Sequence, residues 1–269
     1  MHLFRKNIPA SLQREAFGLR FPHPVGLAPG ADPQARKYNE FRSCSFVEIG
    51  PLDLGSPAQS AERKYGFFPV SKASSGPATL ADAIRCIQER PPKRLIAANI
   101  APVPSRTDCE SVTHDLLKSF TYLYDFVDLF IVDTFRKNND GVAPLQSAEY
   151  LSESMDAMID MRFCYEVSKP ILIRIDQDIL QGSLAGLLNY MMYSGIDGIV
   201  AGYQTYPLEL IRRIGYFTGG RLPIVACGGI DTPQKAEEIL AAGATLIQTD
   251  RKSARNILNH LIDNASLQK

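Results

Sequence analysis

The sequence predicts a single (β/α)8 barrel of the α/β class, and three observations predict it. Short apolar segments alternate with helical patterns from one end of the chain to the other, and eight such segments read as strands. They are near-continuous apolar runs rather than alternating ones, as parallel strands covered on both faces require. The length of 269 residues suits a barrel of about 250 residues. No linker, low-complexity tract or charge shift marks a second domain, so residues 1–269 read as one barrel.

The elements follow in order. The opening MHLFRKNIPASLQREAF reads as a solvated arm or a weakly amphipathic lead-in helix. Phe17–Phe21 reads as a small hairpin closing the barrel floor. The strands are Val25–Ala28, Phe46–Ile49, Leu95–Ile100, Val127–Val132, Ile171–Ile175, Gly198–Ala201, Ile224–Cys227 and Thr245–Gln248. Between them, Val112, Leu116, Phe120 and Leu123 recur at helical spacing, as do Leu184, Leu187, Leu188 and Met191. These stripes are read as core.

Ile224–Ala244 is the most informative stretch. Its apolar run ends in Gly228-Gly229, a pair that lets the backbone turn tightly and approach a ligand. Thr232 then caps a helix that starts at Pro233, shows Ala236, Ile239 and Leu240 inward, and ends at Gly243. A strand, two glycines and a helix N-terminus together make a phosphate-binding arrangement. The alternative is a turn that barrel packing itself requires.

Composition narrows the function. With 29 acidic and 29 basic residues, the chain lacks the basic stripe of a nucleic-acid surface. No apolar run approaches the roughly 20 residues of a membrane span. The start has no apolar signal-peptide core. Cys44, Cys86, Cys109, Cys164 and Cys227 form no metal or disulfide pattern, and free thiols without a targeting segment point to the cytoplasm. None of His2, His23, His114 and His260 stands beside a Ser or Cys as a hydrolase triad would need.

In such a barrel chemistry sits at the C-terminal ends of the strands. Those ends are Ala28–Asp32, Gly50–Gly55, Asn99, Asp133–Gly141, Arg174–Asp178, Gly202–Thr205, Gly228-Gly229 and Gln248–Arg251.

In this order the segments resemble the dihydroorotate dehydrogenase family of FMN-containing barrels. FGLRFPHPVGLAPGAD (Phe17–Asp32) matches the family's opening, FVEIG (Phe46–Gly50) its second strand, and AANI (Ala97–Ile100) its strand-three Asn, at Asn99. Ile224–Ala244 satisfies its C-terminal signature. The resemblance spans essentially the whole chain. It implies an FMN-dependent oxidoreductase of pyrimidine biosynthesis, with Ala28, Gly30, Asn99 and Arg174 along the flavin and Gly228, Gly229 and Arg251 at its phosphate. Only from the resemblance is a homodimer expected.

The functional positions depart from the family pattern. Where the family's fourth strand ends in Asn-Val-Ser-(Ser or Cys)-Pro-Asn, this chain has Asp133-Thr134-Phe135-Arg136-Lys137-Asn138. The base is replaced by Phe135 or Arg136, neither of which accepts a proton at neutral pH. Asp133 is the one base candidate, and its alternative is loop capping or ion pairing. Asn138 is the one counterpart of the orotate-binding asparagines, within a turn read as solvated over Arg136–Gly141. Arg174 stands for the family's flavin-side lysine, or pairs with Asp176, Asp133 or Asp128. Asn99 contacts the ring or satisfies buried loop amides.

Four further stretches depart. Gly50-Pro51-Leu52-Asp53 replaces Gly-Thr-Val-Thr, Ala73-Ser74-Ser75-Gly76-Pro77 replaces the Asn-rich loop, and Tyr203-Gln204-Thr205 replaces Asn-Thr-Thr. Gln248-Thr249-Asp250-Arg251 replaces Gln-x-Tyr-(Thr or Ser), with Asp250 placed to take the amides a phosphate would need and Arg251, Lys252 and Arg255 placed to neutralise one. Arg63-Lys64 read as surface charges, and Thr205 runs almost directly into a helix over Pro207–Phe217.

Three readings follow. The first is an FMN-type oxidoreductase scaffold with altered or impaired activity. The second is a non-catalytic derivative with a binding or regulatory role. The third is a flavin-free barrel acting on a sugar phosphate. All three place a small-molecule or phosphate-bearing ligand at the barrel mouth.

Overall fold

The computed structural model describes residues 8–54, 79–176, 184–203 and 205–267. The lead-in at 1–7, the pair Arg63-Lys64, the loop 73–77 and Gln204 lie outside them.

Among the described residues there are ten strands: β1 (Arg14–Ala16), β2 (Leu19–Phe21), β3 (Val25–Leu27), β4 (Phe46–Leu52), β5 (Leu95–Ile100), β6 (Leu129–Asp133), β7 (Ile171–Ile175), β8 (Gly198–Ala201), β9 (Ile224–Cys227) and β10 (Leu246–Thr249). The last eight form a closed parallel barrel, in which β10 pairs back onto β3 through Ile247↔Val25 and Thr249↔Leu27. Each lies within a few residues of the segment expected for it. The helices are α1 (Leu80–Glu89), α2 (Cys109–Leu123), α3 (Ala148–Arg162), α4 (Leu184–Ser194), α5 (Leu208–Thr218), α6 (Pro233–Ala241) and α7 (Ala254–Leu267).

Strand periodicity of two sorts the side chains onto two faces. Phe46, Ala97, Leu129, Ile131, Leu172 and Val200 belong to one buried cluster, inside the barrel. Val47, Ile49, Ile96, Ala98, Val132 and Ile173 belong to the larger cluster shared with the helices. The same parity places Glu48, Asn99, Asp133, Arg174 and Gln248 on the inward face, toward the C-terminal end. Strand position thus makes the upper barrel layer polar while the lower one stays apolar.

The floor hairpin begins earlier than expected. β1 and β2 pair antiparallel from Arg14↔Phe21 to Ala16↔Leu19, so Phe17 is the first turn residue and no strand start. Phe17 (φ 56) and Gly18 (φ 74) both take the left-handed conformation of a two-residue hairpin turn. Phe21 meets Phe46 edge-on, with ring centroids 5.5 Å apart, and this contact seals the barrel bottom.

Three of the helix starts carry side-chain caps. Thr79 accepts from the Asp82 amide before α1, Asp108 from Ser111 before α2, and Thr232 from Lys235 before α6, where Pro233 opens the helix. The stripes on α2 and α4 face the core, with Val112, Leu116, Phe120, Leu184, Leu188 and Met191 buried.

Candidate functional site

Glu48 organises the upper barrel. Its Oε1 accepts from Arg174 Nη2 at 2.5 Å and from Asn99 Nδ2 at 2.8 Å, and its Oε2 accepts from Gln248 Nε2 at 2.6 Å. Four strands (β4, β5, β7 and β10) therefore converge on one carboxylate, and all four side chains are fully buried. Burial works against the Arg174 charge, but the acidic groups around it, Glu48 foremost, together outweigh burial and hold the guanidinium pKa above its usual value. A carboxylate only accepts, so both amide NH2 groups must turn toward it. That leaves Asn99 Oδ1, Gln248 Oε1 and Arg174 Nε without a hydrogen-bond partner among the described residues. Arg174 thus pairs with Glu48 rather than with the expected aspartates. Asp128 instead accepts from the Ile96 amide at 2.7 Å.

The rim above this layer is aromatic and ion-paired. The Tyr203 ring centroid lies 5.7 Å from Arg174 Cζ, and Phe135 stacks on Tyr203 with centroids 6.0 Å apart. Arg136, expected in a solvated turn, is buried instead: Nη2 lies 2.6 Å from Asp53 Oδ2, with side-chain exposures of 6% and 2%. The solvated part of that turn is Lys137–Gly141. There Asn138 Oδ1 accepts from the Asp140 and Val142 amides, both at 3.0 Å, which commits Asn138 to its own loop.

Asp133 sits 2% exposed at the end of β6, and its Oδ1 accepts from the Phe135 amide at 2.9 Å. Burial pushes its carboxyl above the ordinary range, against the pull of Arg174 and that amide. Burial also raises the nearby Cys227 thiol to about 11, which keeps it neutral.

At the other end of the mouth, the glycine pair is packed against backbone. A Cβ on Gly228 (φ 105) would meet Thr205 O at 2.5 Å, and one on Gly229 (φ 62) would touch Tyr206. Asp250 Oδ1 accepts from the amides of Lys252 (2.6 Å) and Ser253 (3.0 Å), and its Oδ2 from Ser253 Oγ (2.9 Å). Arg251 points outward, its side chain 63% exposed, 3.8 Å from Glu40 and over the Phe41 ring. Ala28 is buried with its amide bonded to Thr249 O, while Gly30 remains partly exposed at φ 85.

Of the residues singled out from sequence, the fold brings Asn99, Arg174 and Asp133 together in one layer. Gly228 and Gly229 lie beside the Tyr203–Tyr206 segment, and Arg251 and Asn138 are turned elsewhere. Glu48, Asp53 and Gln248 were missed as partners. The signal for Glu48 was its place two residues after Phe46, on the inward parity of its strand.

No protein-family model matches the chain. Two dihydroorotate dehydrogenases (quinone) do align along most of it. That of Christiangramia forsetii is 28% identical over 269 residues, covering 89% of this chain and 79% of the relative. That of Thermosynechococcus vestitus is 29% identical over 276 residues, covering 88% and 75%. The chain is a relative of the dihydroorotate dehydrogenases. Two crystal structures of the dihydroorotate dehydrogenase of Eimeria tenella share its fold. The ferulenol complex superposes with a TM-score of 0.82 at 17% identity, over 99% of this chain and 87% of that one. The ligand-free form gives 0.83 over 99% and 90%. Like these proteins, the chain has a dihydroorotate dehydrogenase-type barrel with a small antiparallel sheet near its N-terminus. Among the described residues, no helix is long and apolar enough to cross a membrane, and no cluster of His, Cys, Asp or Glu is suited to a metal.

Proposed function

We propose that this chain keeps the scaffold of an FMN-type dihydroorotate dehydrogenase but not its reaction, and serves a binding or regulatory role. The observation that carries this is the Arg136–Asp53 ion pair, buried at 2.6 Å where the resemblance puts the proton-accepting residue at Phe135 or Arg136. A guanidinium accepts no proton, and this one is tied into the rim between β4 and β6. Asp133, the remaining base candidate, is enclosed, bonded to the Phe135 amide and held toward its neutral form by burial. Without a positioned base, proton abstraction loses about 10²–10⁴-fold from that contribution alone.

The test is direct. Purified chain receives FMN, dihydroorotate and a quinone or dye acceptor, and orotate formation is followed. The rate should not exceed that of the protein-free control. Turnover near the ordinary enzyme range of about 1 s⁻¹ or more would overturn the proposal.

A further inference from the structure

The residues that the resemblance assigns to FMN do not fit it as folded, and this deepens the reading of the same site. A phosphate at a helix N-terminus needs amides free to donate. Here the amides of Lys252 and Ser253, just before α7, already donate to the Asp250 carboxylate, as does Ser253 Oγ. Asp250 thus provides from within the chain the negative charge that such a terminus attracts. Arg251, the cation that the resemblance puts beside the phosphate, lies against Glu40 and Phe41 instead. Lys235 is engaged as well, its Nζ 3.0 Å from Gly229 O and 2.8 Å from Asp231 Oδ1.

The ring end is filled in a parallel way. A residue lining a ring site must present surface to it, yet of the expected Ala28, Gly30, Asn99 and Arg174 only Gly30 has any. The orphaned atoms Asn99 Oδ1, Gln248 Oε1 and Arg174 Nε are each shut off from solvent, so no opening reaches them. The Tyr203 ring already lies against the Arg174 guanidinium, its centroid 5.7 Å from Cζ.

We infer that this chain does not take FMN, because its own groups stand at both ends of the cofactor's place: the Asp250 carboxylate for the phosphate and the Glu48–Arg174 pair for the ring. The inference rests on the reading above but fails separately from it, since a chain without a base can still hold a flavin.

The test uses the full chain, purified without added flavin and shown by circular dichroism to melt cooperatively. FMN and riboflavin are each titrated, following the visible flavin spectrum, fluorescence quenching and thermal melting. FMN should give no saturable spectral change below about 100 µM and no shift in melting temperature. Riboflavin binding without FMN binding would overturn the ring half of the inference and leave the exclusion to Asp250 alone. FMN that co-purifies with the chain, or saturates it below that concentration, would overturn it whatever the dihydroorotate assay shows.

Discussion

Glu48 and Arg174 meet at 2.5 Å inside the barrel, and neither side chain is exposed at all. Such a pair contributes little net stability while whole, because desolvation offsets attraction, but halving it leaves a bare charge in the core. Glu48→Gln should therefore destabilise the fold by about 3–5 kcal/mol, whereas Glu48→Leu combined with Arg174→Met should cost clearly less than the sum of the single changes. A double-mutant cycle measured by urea unfolding decides the matter. Additive effects would show that the two charges do not depend on each other.

The glycine pair gives a graded test of backbone packing. Gly228→Ala must place a methyl 2.5 Å from Thr205 O, at φ 105. Gly229→Ala has φ 62 and nearest contacts at 3.4 Å. The second change should cost about 1 kcal/mol for the left-handed conformation, and the first distinctly more. Equal losses in chemical denaturation would argue against the close approach of the Tyr203–Tyr206 segment.

A pH dependence follows from His23 at the barrel floor. Burial first, and then Arg94, lower its pKa from 6.5 to about 4, and its Nδ1 accepts from the Val25 amide. The folded form thus binds this proton less readily than the unfolded chain does. The contribution is fully present above pH 6.5 and is lost as pH falls from there toward about 4. Its ceiling is about 3 kcal/mol at 1.36 kcal/mol per unit. Carboxylates raised by burial, such as Asp32, Asp128 and Asp133, act in the opposite direction, so the comparison must be with His23→Asn, which keeps an acceptor for Val25 and cannot charge. Wild type should lose more stability than this variant between pH 7 and pH 4.5.

Thiol chemistry should separate the cysteines by depth. Cys164 is exposed, whereas Cys44 and Cys227 are buried with thiols raised by burial to about 12 and about 11. In the native protein near pH 8, an aromatic disulfide reagent should modify Cys164 first. Cys44 and Cys227 should react only at the pace of unfolding. Fast labelling of Cys227 would mean that the upper barrel opens readily.

The strands were legible because each apolar run carries its own signal: a parallel strand buried on both faces has few other ways to read. The helix starts were equally local, since Thr232-Pro233 caps and opens α6 within two residues, and Asp250 was recognisable as a cap for the same reason. Glu48 was not. It lies in the run FVEIG as one polar letter, and its partner Arg174 is 126 residues away. Arg136 was misplaced because its neighbours Lys137, Asn138 and Asp140 have the composition of a surface turn, while Asp53, which draws it inward, lies just past the end of β4.

What the sequence by itself determined is the set of short-range facts: strand and helix positions, caps, the glycine turn, and the absence of a Ser or Cys at the position of the family's base. Only the tertiary structure decided which charges face each other, because barrel closure brings the inward faces of β4, β5, β7 and β10 to a common centre. Inside it, a carboxylate that can only accept must collect donors from whichever strands surround it, and no local pattern records which those are.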